Sequence, residues 1–512
     1  MPLTPPAPEP FPTEQSLVPI PPGRIPAAIA ALDDIIREVL ERTGVPGLAV
    51  SVVHKGKTVY AKGFGVRNVD TGARVDKRTI FQMASVSKSI SATVVAGVVG
   101  RELVSWIDPL EKHLPGFALA DPYVSQHVTI RDMFSHQSGL PDHAGDLLED
   151  LGYDQAYILN RLRMEHLAPF RANYDYTNFG LTAGAVSAAA AAGKAWPDLA
   201  EDVLYRPLGM TSTSSRHSDF ANAPNHADLH VRINGKWEQK FERDPDPEAP
   251  AGGVSSNVID LARWMILRLA GGVWQGSTLI DPTALAETQL PLVISNPPGS
   301  LIARTGFYGC GTNVGYDYAG RLRLTHSGAF ASGAATSYAL LPSEDLGIMV
   351  ITNGMPIGVP EAISFYFLDL IESGGIQQDW LALYQQAFAG LSDNPSELAG
   401  QQPPAHPTPA HPDNFYTGAY DNAYYGPIQV VSRRGGLHVL IGPRPDDYPL
   451  QHWDGDLFAF YPTGENAVGI SAATFTPNAT GTAAASLTLE YYNWLVQSGQ
   501  LTTSGLGVFT RH

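Results

Sequence analysis

An unusually apolar stretch of the chain follows a short cluster of serines. Residues 91–100 carry almost only small or β-branched side chains, and the preceding segment contains Ser85, Ser87 and Lys88. A segment that is apolar on nearly every face is typical of a helix inside a large protein. Because serine is a favoured N-cap residue, the pattern predicts a buried central helix that begins near Ser85.

The pattern before this helix predicts another helix and a hairpin. Apolar residues recur at helical spacing from Ile25 to Arg42, with acidic and basic residues between them. Two β-rich runs, 47–54 and 57–64, are separated by a Lys-Gly pair, which is typical of a hairpin turn. The proline-rich residues 1–25 predict an extended arm.

The middle of the chain is mainly helical, and strands return after it. A helix is expected at 129–134, and residues 145–270 are predominantly helical by pattern. Strands are expected at 322–325, 336–341 and 347–352. This order predicts an α+β domain over residues 26–390, in which helices flank an antiparallel sheet and a helical subdomain is inserted.

The last part of the chain changes character. Residues 391–414 form a proline-rich linker by composition. Short strands separated by glycine-containing turns follow it, at 427–433, 437–441, 457–461, 467–470 and 484–491. About eight strands over residues 415–512 predict a separate antiparallel β-barrel domain.

Composition narrows the classes of partner. At 512 residues the chain is longer than a single hydrophobic core usually supports, so two or more domains are expected. Its net charge of -17 argues against a nucleic-acid partner. Cys310 is the only cysteine, so an internal disulfide is excluded. His406 and His411 lack a third ligand, which favours solvated linker histidines over a metal site.

Targeting signals are weak in this chain. No stretch reaches the roughly 20 apolar residues of a membrane span. The N-terminus has neither a basic region nor an apolar region of the kind found in secretory leaders. The sequence as written predicts a cytoplasmic protein, and a periplasmic or secreted one if a leader has been removed.

The Ser85 cluster carries the first candidate chemistry. On a helix, Ser85 and Lys88 point to one side, one turn apart. Burial and the positive end of the helix both disfavour a charged amine, and a neutral lysine can take the serine proton. Four-residue matches of this kind are frequent, and a serine-rich helix start with a solvated lysine is the ordinary alternative.

Two further stretches carry candidate site residues. Tyr176 and Asn178 would point the same way from an extended segment, although a capped loop before the helix at Leu181 is the ordinary interpretation. The predicted strand from Leu322 ends in His326, Ser327, Gly328 and Ala329. Its glycine admits a substrate to the backbone, and the Ala329 N–H could be an oxyanion donor, whereas His326 alone is typical of a strand end.

Together, and in this order, the three motifs resemble those of the serine β-lactamase and penicillin-binding-protein-like family, the S12 serine hydrolases. Further similar stretches occur between about residues 30 and 375, at 45–50, 129–141, 207–211 and 251–256. The tail, with 426–430 and 452–458, is similar to the lipocalin-like domain of some members.

The resemblance implies a role for each residue. Ser85 would be the nucleophile, Lys88 its base, and Tyr176 the group that relays the proton. The N–H groups of Ser85 and Ala329 would form the oxyanion hole, and Asn178 would contact the substrate. Tyr-x-Asn is the pattern of the class C β-lactamases and of related peptidases and esterases. The resemblance implies no metal and no organic cofactor.

One departure from the family pattern affects the expected substrate. His326 stands where penicillin-recognising members carry lysine, which places efficient β-lactam hydrolysis in doubt and favours esters or peptides. Carboxylesterase, D-type peptidase, amidase and weak β-lactamase activities all stay open. A catalytically silent relative that binds or scaffolds is the rival from another class. A small-molecule or peptide substrate is expected, and a homo-oligomer stays open.

Overall fold

The computed structural model describes residues 18–301, 303–390, 393–467, 469–497 and 499–512. Residue contacts divide the chain into two compact units. The first unit consists of three segments: the N-terminal part up to Leu103, Pro197–Arg243 and Gly252–Gln386. The second contains Val104–Trp196, Asp244–Ala251 and Ala387–His512. Most of the predicted N-terminal arm, residues 1–17, lies outside the described residues.

The described helices differ widely in length, and the longest of them, α1, belongs to the first unit. Their bounds are α1 (Arg24–Thr43), α2 (Val86–Val99), α3 (Leu110–His113), α4 (Pro122–His127), α5 (Ile130–Phe134), α6 (Asp146–Asp150), α7 (Gln155–Arg161), α8 (Asn178–Ala191), α9 (Trp196–Ala200), α10 (Arg206–Leu208), α11 (His217–Ala221), α12 (Ala249–Gly252), α13 (Val258–Leu269), α14 (Pro282–Ala286), α15 (Val359–Glu372), α16 (Trp380–Ala389) and α17 (Asp413–Tyr416).

The strands fall into one set for each unit. Those of the first unit are β1 (Gly47–His54), β2 (Lys57–Gly65), β3 (Phe81–Gln82), β4 (His230–Ile233), β5 (Lys236–Gln239), β6 (Ser255–Ser256), β7 (Val273–Trp274), β8 (Ser277–Thr278), β9 (Val293–Asn296), β10 (Gly306–Tyr308), β11 (Asn313–Tyr316), β12 (Leu322–Phe330), β13 (Ala334–Leu341) and β14 (Leu346–Thr352). Those of the second are β15 (Gly418–Asp421), β16 (Ile428–Arg433), β17 (Gly436–Ile441), β18 (Asp446–Pro449), β19 (Gln451–Asp454), β20 (Leu457–Phe460), β21 (Ser471–Pro477), β22 (Ala484–Leu489), β23 (Trp494–Gln497), β24 (Gln500–Thr503) and β25 (Val508–Arg511).

The first unit is built on an antiparallel sheet of eight strands, in the order β2-β1-β14-β13-β12-β11-β10-β9. Helices α1 and α15 pack together on one face, where Leu48, Val50 and Val52 of β1 point into an extended apolar cluster. Helix α13 lies against β1 and β14 from the other face. Because both faces are covered, β1 is a nearly continuous apolar strand that ends in His54.

Helix α2 is the buried central helix of the sequence prediction. Its residues from Val86 to Val98 are all buried, so its apolar character on every face matches its surroundings. It packs against β12 and β13, which places its N-terminal end beside the middle of the sheet. The sheet therefore supplies one wall of whatever site forms at the start of this helix.

The second unit joins a helical part to a large sheet. In the helical part, Thr129 and Asp132 form a reciprocal capping box at the start of α5, and α5 packs on α8. The sheet has nine antiparallel strands in the order β18-β17-β16-β15-β25-β22-β21-β20-β19. Its two edge strands are consecutive in the chain, with Leu450 alone between them. The sheet therefore curls into an almost closed barrel.

Strands β23 and β24 form a separate hairpin that leaves this barrel. Their register pairs Trp494 with Thr503 and Leu495 with Thr502. The hairpin reaches the helical part of the same unit, where the Asp142 N–H donates a 3.0 Å hydrogen bond to the Val496 carbonyl. The barrel and the helical part are thus joined by backbone pairing as well as by side chains.

The α+β class with a C-terminal antiparallel barrel is confirmed, since the predicted elements lie within a few residues of the observed ones. The exception is the strand predicted at 467–470. Val468 lies outside the described residues, and the strand there begins only at Ser471. The predicted domain boundaries stay a prediction. The described part of the predicted linker packs on the barrel, where Leu398 joins a core cluster with Ala459 and Ala472.

Two expected absences can be compared with the described residues. No helix in that part of the chain is long and apolar enough to cross a membrane. Within the same residues, no cluster of three or more histidine, cysteine or acidic side chains could hold a metal ion. His411 instead stacks on Phe415, with ring centroids 4.0 Å apart.

Candidate active site

Ser85 stands at the N-cap of helix α2, at the end of a tight turn. Ala84, immediately before it, has a φ of 45°, a left-handed conformation that is costly for a residue with a side chain. The turn is held from the side by the hydrogen bond from Met83 N–H to the Val254 carbonyl, 2.8 Å long. Ser85 is half-buried whereas its neighbours on both sides are fully buried. The turn therefore presents one hydroxyl at the surface of a packed core.

Lys88 lies one helical turn after the serine. Its Nζ donates a 3.0 Å hydrogen bond to Ser85 Oγ, and the side chain is fully buried. The spacing of three residues brings the two groups to the same side of the helix, as the sequence predicts. A buried amine in contact with a hydroxyl is the arrangement that can activate a serine nucleophile.

Strand β12 closes the site from the sheet side. A Cβ placed on Gly328 would lie 2.8 Å from the Ser85 backbone nitrogen and 2.4 Å from the Met83 carbonyl oxygen. Only a glycine allows the strand to come this close to the start of the helix. The next residue along the strand, Ala329, is exposed. The predicted role of its N–H as an oxyanion donor stays a prediction.

His326 is buried and fully engaged within the strand layer. Its Nδ1 lies 2.6 Å from the Ser327 carbonyl oxygen, which can only accept, so Nδ1 carries the proton. Its Nε2 then accepts from the Tyr308 hydroxyl at 2.8 Å. Burial is the main cause that lowers the pKa of His326 to about 3, and Lys88 contributes to the shift when it is protonated. The imidazole is therefore uncharged, and its single N–H is already used.

Tyr176 and Asn178 belong to the second unit. They are half-buried and alternate with the fully buried Asp175 and Thr177, which agrees with the predicted extended segment up to Thr177. Asn178 is the first residue of helix α8. Its Nδ2 donates a 2.9 Å hydrogen bond to Asp146.

Three residues that hold this segment were not singled out from the sequence. The Asp142 carboxylate accepts a hydrogen bond from the Tyr176 N–H, and the His143 N–H donates to the Tyr176 carbonyl at 2.8 Å. His136, in a left-handed conformation, accepts from the Thr177 N–H through Nδ1 at 3.2 Å. The only sequence signal was their place in or just after the similar stretch at 129–141, because such contacts depend on packing between distant elements.

The structure thus brings Ser85, Lys88, Gly328, Ala329 and His326 together at the start of α2 within the first unit. It brings Tyr176 and Asn178 together within the second unit, on a shared set of acidic and histidine partners. Tyr308, the partner of His326, was also missed, since nothing in its sequence context sets it apart.

A model of the beta-lactamase family matches residues 32–371, which include all of these residues. The chain belongs to the beta-lactamase family. Members of this family, including penicillin-binding proteins, are serine hydrolases related to one another by this domain. The resemblance inferred from the motifs is therefore confirmed.

Individual relatives agree with the family. The unguisins hydrolase ungD' of Aspergillus campestris is 24% identical over 414 residues, which are 77% of this chain and 75% of that protein. The D-alanyl-D-alanine-carboxypeptidase/endopeptidase AmpH of Escherichia coli is 23% identical over 332 residues, 62% of this chain and 81% of AmpH. Both matches are distant, so they say what this beta-lactamase-family chain is similar to and leave its substrate open.

The fold also agrees with a solved structure. The octameric penicillin-binding protein homologue from Pyrococcus abyssi superposes with a TM-score of 0.59 at 18% identity, covering 90% of this chain and 98% of that one. At this identity the similarity shows the fold alone. The tail, residues 402–497, matches a domain of unknown function, DUF3471, and its lipocalin-like character stays a prediction.

Proposed function

We propose that this chain is a serine hydrolase that cleaves ester or amide bonds, including peptide bonds, through an acyl-Ser85 intermediate. The observation that carries the proposal is the 3.0 Å contact from Lys88 Nζ to Ser85 Oγ, with the lysine buried and the serine at the surface. A binding protein has no use for a buried amine at that position, because burial of an amine is unfavourable without a function.

The first half-reaction transfers the acyl group to the serine. Neutral Lys88 accepts the hydroxyl proton while Ser85 Oγ forms a bond to the substrate carbonyl carbon. The electron pair of the carbonyl moves to its oxygen, and the N–H groups of Ser85 and Ala329 stabilise that negative charge. Tyr176 passes the proton to the leaving alcohol or amine as its bond to the carbonyl carbon breaks.

The second half-reaction releases the acid. A water molecule loses a proton to Lys88 as its oxygen forms a bond to the acyl carbon. The bond from that carbon to Ser85 Oγ then breaks, and Lys88 returns the proton to Oγ, which restores the free serine. Asn178 is assigned to hold the substrate amide or ester during both steps, in keeping with its side chain being half-buried. The residues of the chain account for each proton that moves.

The neutral His326 supports uncharged substrates over carboxylate-bearing ones. At any pH above about 3 its imidazole carries no charge, so it offers no cation to a substrate carboxylate. We therefore propose ester or peptide hydrolysis as the main activity, with only weak turnover of β-lactams. Two relatives support amide and peptide bonds as candidate substrates, because one is named a hydrolase and the other a carboxypeptidase/endopeptidase.

The proposal is tested with a panel of p-nitrophenyl esters, peptide amides and nitrocefin, with Ser85→Ala as the blank. A fluorophosphonate should add one covalent mass to Ser85, and Ser87→Ala, altered two residues along the same helix, should keep that adduct. An active protein that gains no adduct on Ser85 would assign the chemistry to another residue. No turnover and no adduct would favour the silent binding protein.

The octameric relative supports a further part of the proposal, that this chain forms a homo-oligomer. Light scattering of the purified protein measures its mass directly, and a monomer at all concentrations would contradict this part alone.

A further inference from the structure

The second unit contains a cavity of about 330 Å³ between its barrel and its helical part. A dry cavity of about 150 Å³ is enough to bind benzene, so this one has room for an aromatic ring and a short chain. Its floor includes the buried aromatic rings of Tyr424, Tyr425 and Tyr491. The β23–β24 hairpin supplies Trp494 and Leu501. The cavity thus has the apolar lining that is usual for ligand sites.

Acidic side chains outnumber basic ones on the cavity wall. Four acidic residues line it, Asp142, Asp146, Glu165 and Asp393. Its histidine, His143, lies against Asp146, and the described lining residues include no lysine or arginine. Glu165 is buried and accepts a hydrogen bond from the Tyr424 hydroxyl. Burial raises the pKa of Glu165 to about 7, so its charge is poised near neutral pH. An anionic ligand would therefore meet repulsion here, whereas a cation would favour the carboxylate.

The same wall holds the Tyr176 segment. Asp142 is bonded to the Val496 carbonyl through its N–H and to the Tyr176 N–H through its carboxylate. Asp146 accepts from Asn178 and lies 2.8 Å from His143 Nδ1. A molecule in the cavity therefore contacts the residues that position both proposed site residues of this unit.

We propose that this cavity is the subsite for the apolar part of the substrate, and that it accepts neutral or cationic groups and rejects anionic ones. The inference rests on the proposed function, because it assigns the substrate class of the same reaction. The hairpin supplies one wall, so the C-terminal domain would take part in substrate choice.

Binding is tested apart from catalysis, with Ser85→Ala protein and three probes of one shape. Calorimetry with 3-phenylpropan-1-amine and 3-phenylpropan-1-ol should detect binding, and 3-phenylpropanoate should bind at least ~10-fold more weakly. Glu165→Gln should reduce this discrimination between amine and acid. Glu372→Gln, which alters another buried carboxyl whose pKa is raised to about 7 but in the first unit, should leave it unchanged. If all three probes bind equally well, or if none of them binds, the proposed selection by charge is overturned.

Substrate choice is tested in the active protein. For Leu501→Glu, the ratio of kcat/KM for p-nitrophenyl 4-phenylbutanoate to that for p-nitrophenyl acetate should fall ~10-fold. Leu383→Glu is the matched control, since the two leucines are 46% and 45% exposed and only Leu501 lines the cavity. An unchanged ratio in a protein still labelled at Ser85 overturns the subsite and leaves the proposed function intact. If the unaltered protein gains no fluorophosphonate adduct on Ser85, the proposed function itself is overturned.

Discussion

The two groups of proposed site residues are held in different ways. Ser85 and Lys88 are one helical turn apart, so the helix itself brings them together. Tyr176 is held by Asp142, and Asp142 is in turn bonded to Val496, more than three hundred positions further along the chain. The nucleophile and its base therefore follow from local structure, while the second group depends on the C-terminal domain.

This difference suggests a division of roles. A pair fixed by one helix keeps its geometry as long as the helix is packed, and α2 is buried along its length. A segment held by a loop and a hairpin can change position when the hairpin changes. We expect the geometry of Ser85 and Lys88 to be insensitive to the C-terminal domain, and proton transfer by Tyr176 and the substrate preference to be sensitive to it.

The largest expected effect concerns the two proton-transferring groups. Lys88→Ala and Tyr176→Phe should each lower kcat by ~10² to 10⁴, the usual contribution of general acid–base catalysis. Because the residues act as one unit, the double variant should be little slower than the slower single one. Steady-state kinetics on one activated ester measure both. Near-normal turnover in Lys88→Ala would remove Lys88 as the base.

The next effect concerns the close approach of the strand to the helix. Gly328→Ala would place a methyl group against two backbone atoms, so the donors of the oxyanion hole must shift, and kcat should fall ~10²-fold. Gly315→Ala on β11 is the control, because its new Cβ meets no atom within 4 Å. Equal kcat in the two variants would mean that this contact is not part of the site.

A smaller effect is expected from the long-range support. Asp142→Ala removes the acceptor of the Tyr176 N–H and should lower kcat about tenfold through misplacement of the tyrosine. In a Tyr176→Phe background the same substitution should have much less effect. A double-mutant cycle measures this coupling. Additive losses would show that Asp142 stabilises the fold without positioning Tyr176.

The last expected effect is on stability rather than on kcat, and it concerns the pH dependence of the two regions. Burial raises the pKa of Glu361 in the first unit and of Glu165 in the second to about 7. The folded protein then retains protons that the unfolded chain loses above about pH 4.3, so the free energy of unfolding should decrease as pH rises from there to 7. Each group contributes a slope of at most ~1.4 kcal/mol per pH unit.

Urea denaturation across this pH range measures the slope. Glu361→Gln and Glu165→Gln should each flatten it, since an amide does not titrate. If only one variant flattens the curve, the carboxyl in the other region is hydrated and ionised in the folded protein. An unchanged slope in both would contradict burial as the cause of the shifts.

Much of the fold follows from local patterns in the sequence. Helix α1 and the β1–β2 hairpin lie within a residue or two of their predicted bounds, because periodicity and a Lys-Gly turn are local signals. The Ser85–Lys88 pair is equally local. The strand predicted at 467–470 was displaced, because alternation alone could not separate a loop from the strand that begins at Ser471.

Other features could not be predicted from the sequence. The engagement of His326 by Tyr308 depends on the register of β10, β11 and β12. The support of Tyr176 depends on a hairpin from the other end of the chain. The contact between His326 Nδ1 and the Ser327 carbonyl, which takes the only proton of the imidazole, has no signal in the sequence either. Long-range pairing, rather than residue type, decides such contacts.

The barrel sheet stays open between its two edge strands, β18 and β19, which are separated in the chain by Leu450. This opening has a consequence for the behaviour of the protein at high concentration. An open sheet presents unpaired backbone groups that can recruit strands from other molecules and start aggregation. Here both edge strands, β18 and β19, are only four residues long. Strand β18 carries two aspartates and a proline, and the pairing of β19 with β20 is interrupted by a register shift after His452. These features disfavour edge-to-edge pairing, so we expect any self-association of this chain to use surfaces other than the free edges of the barrel.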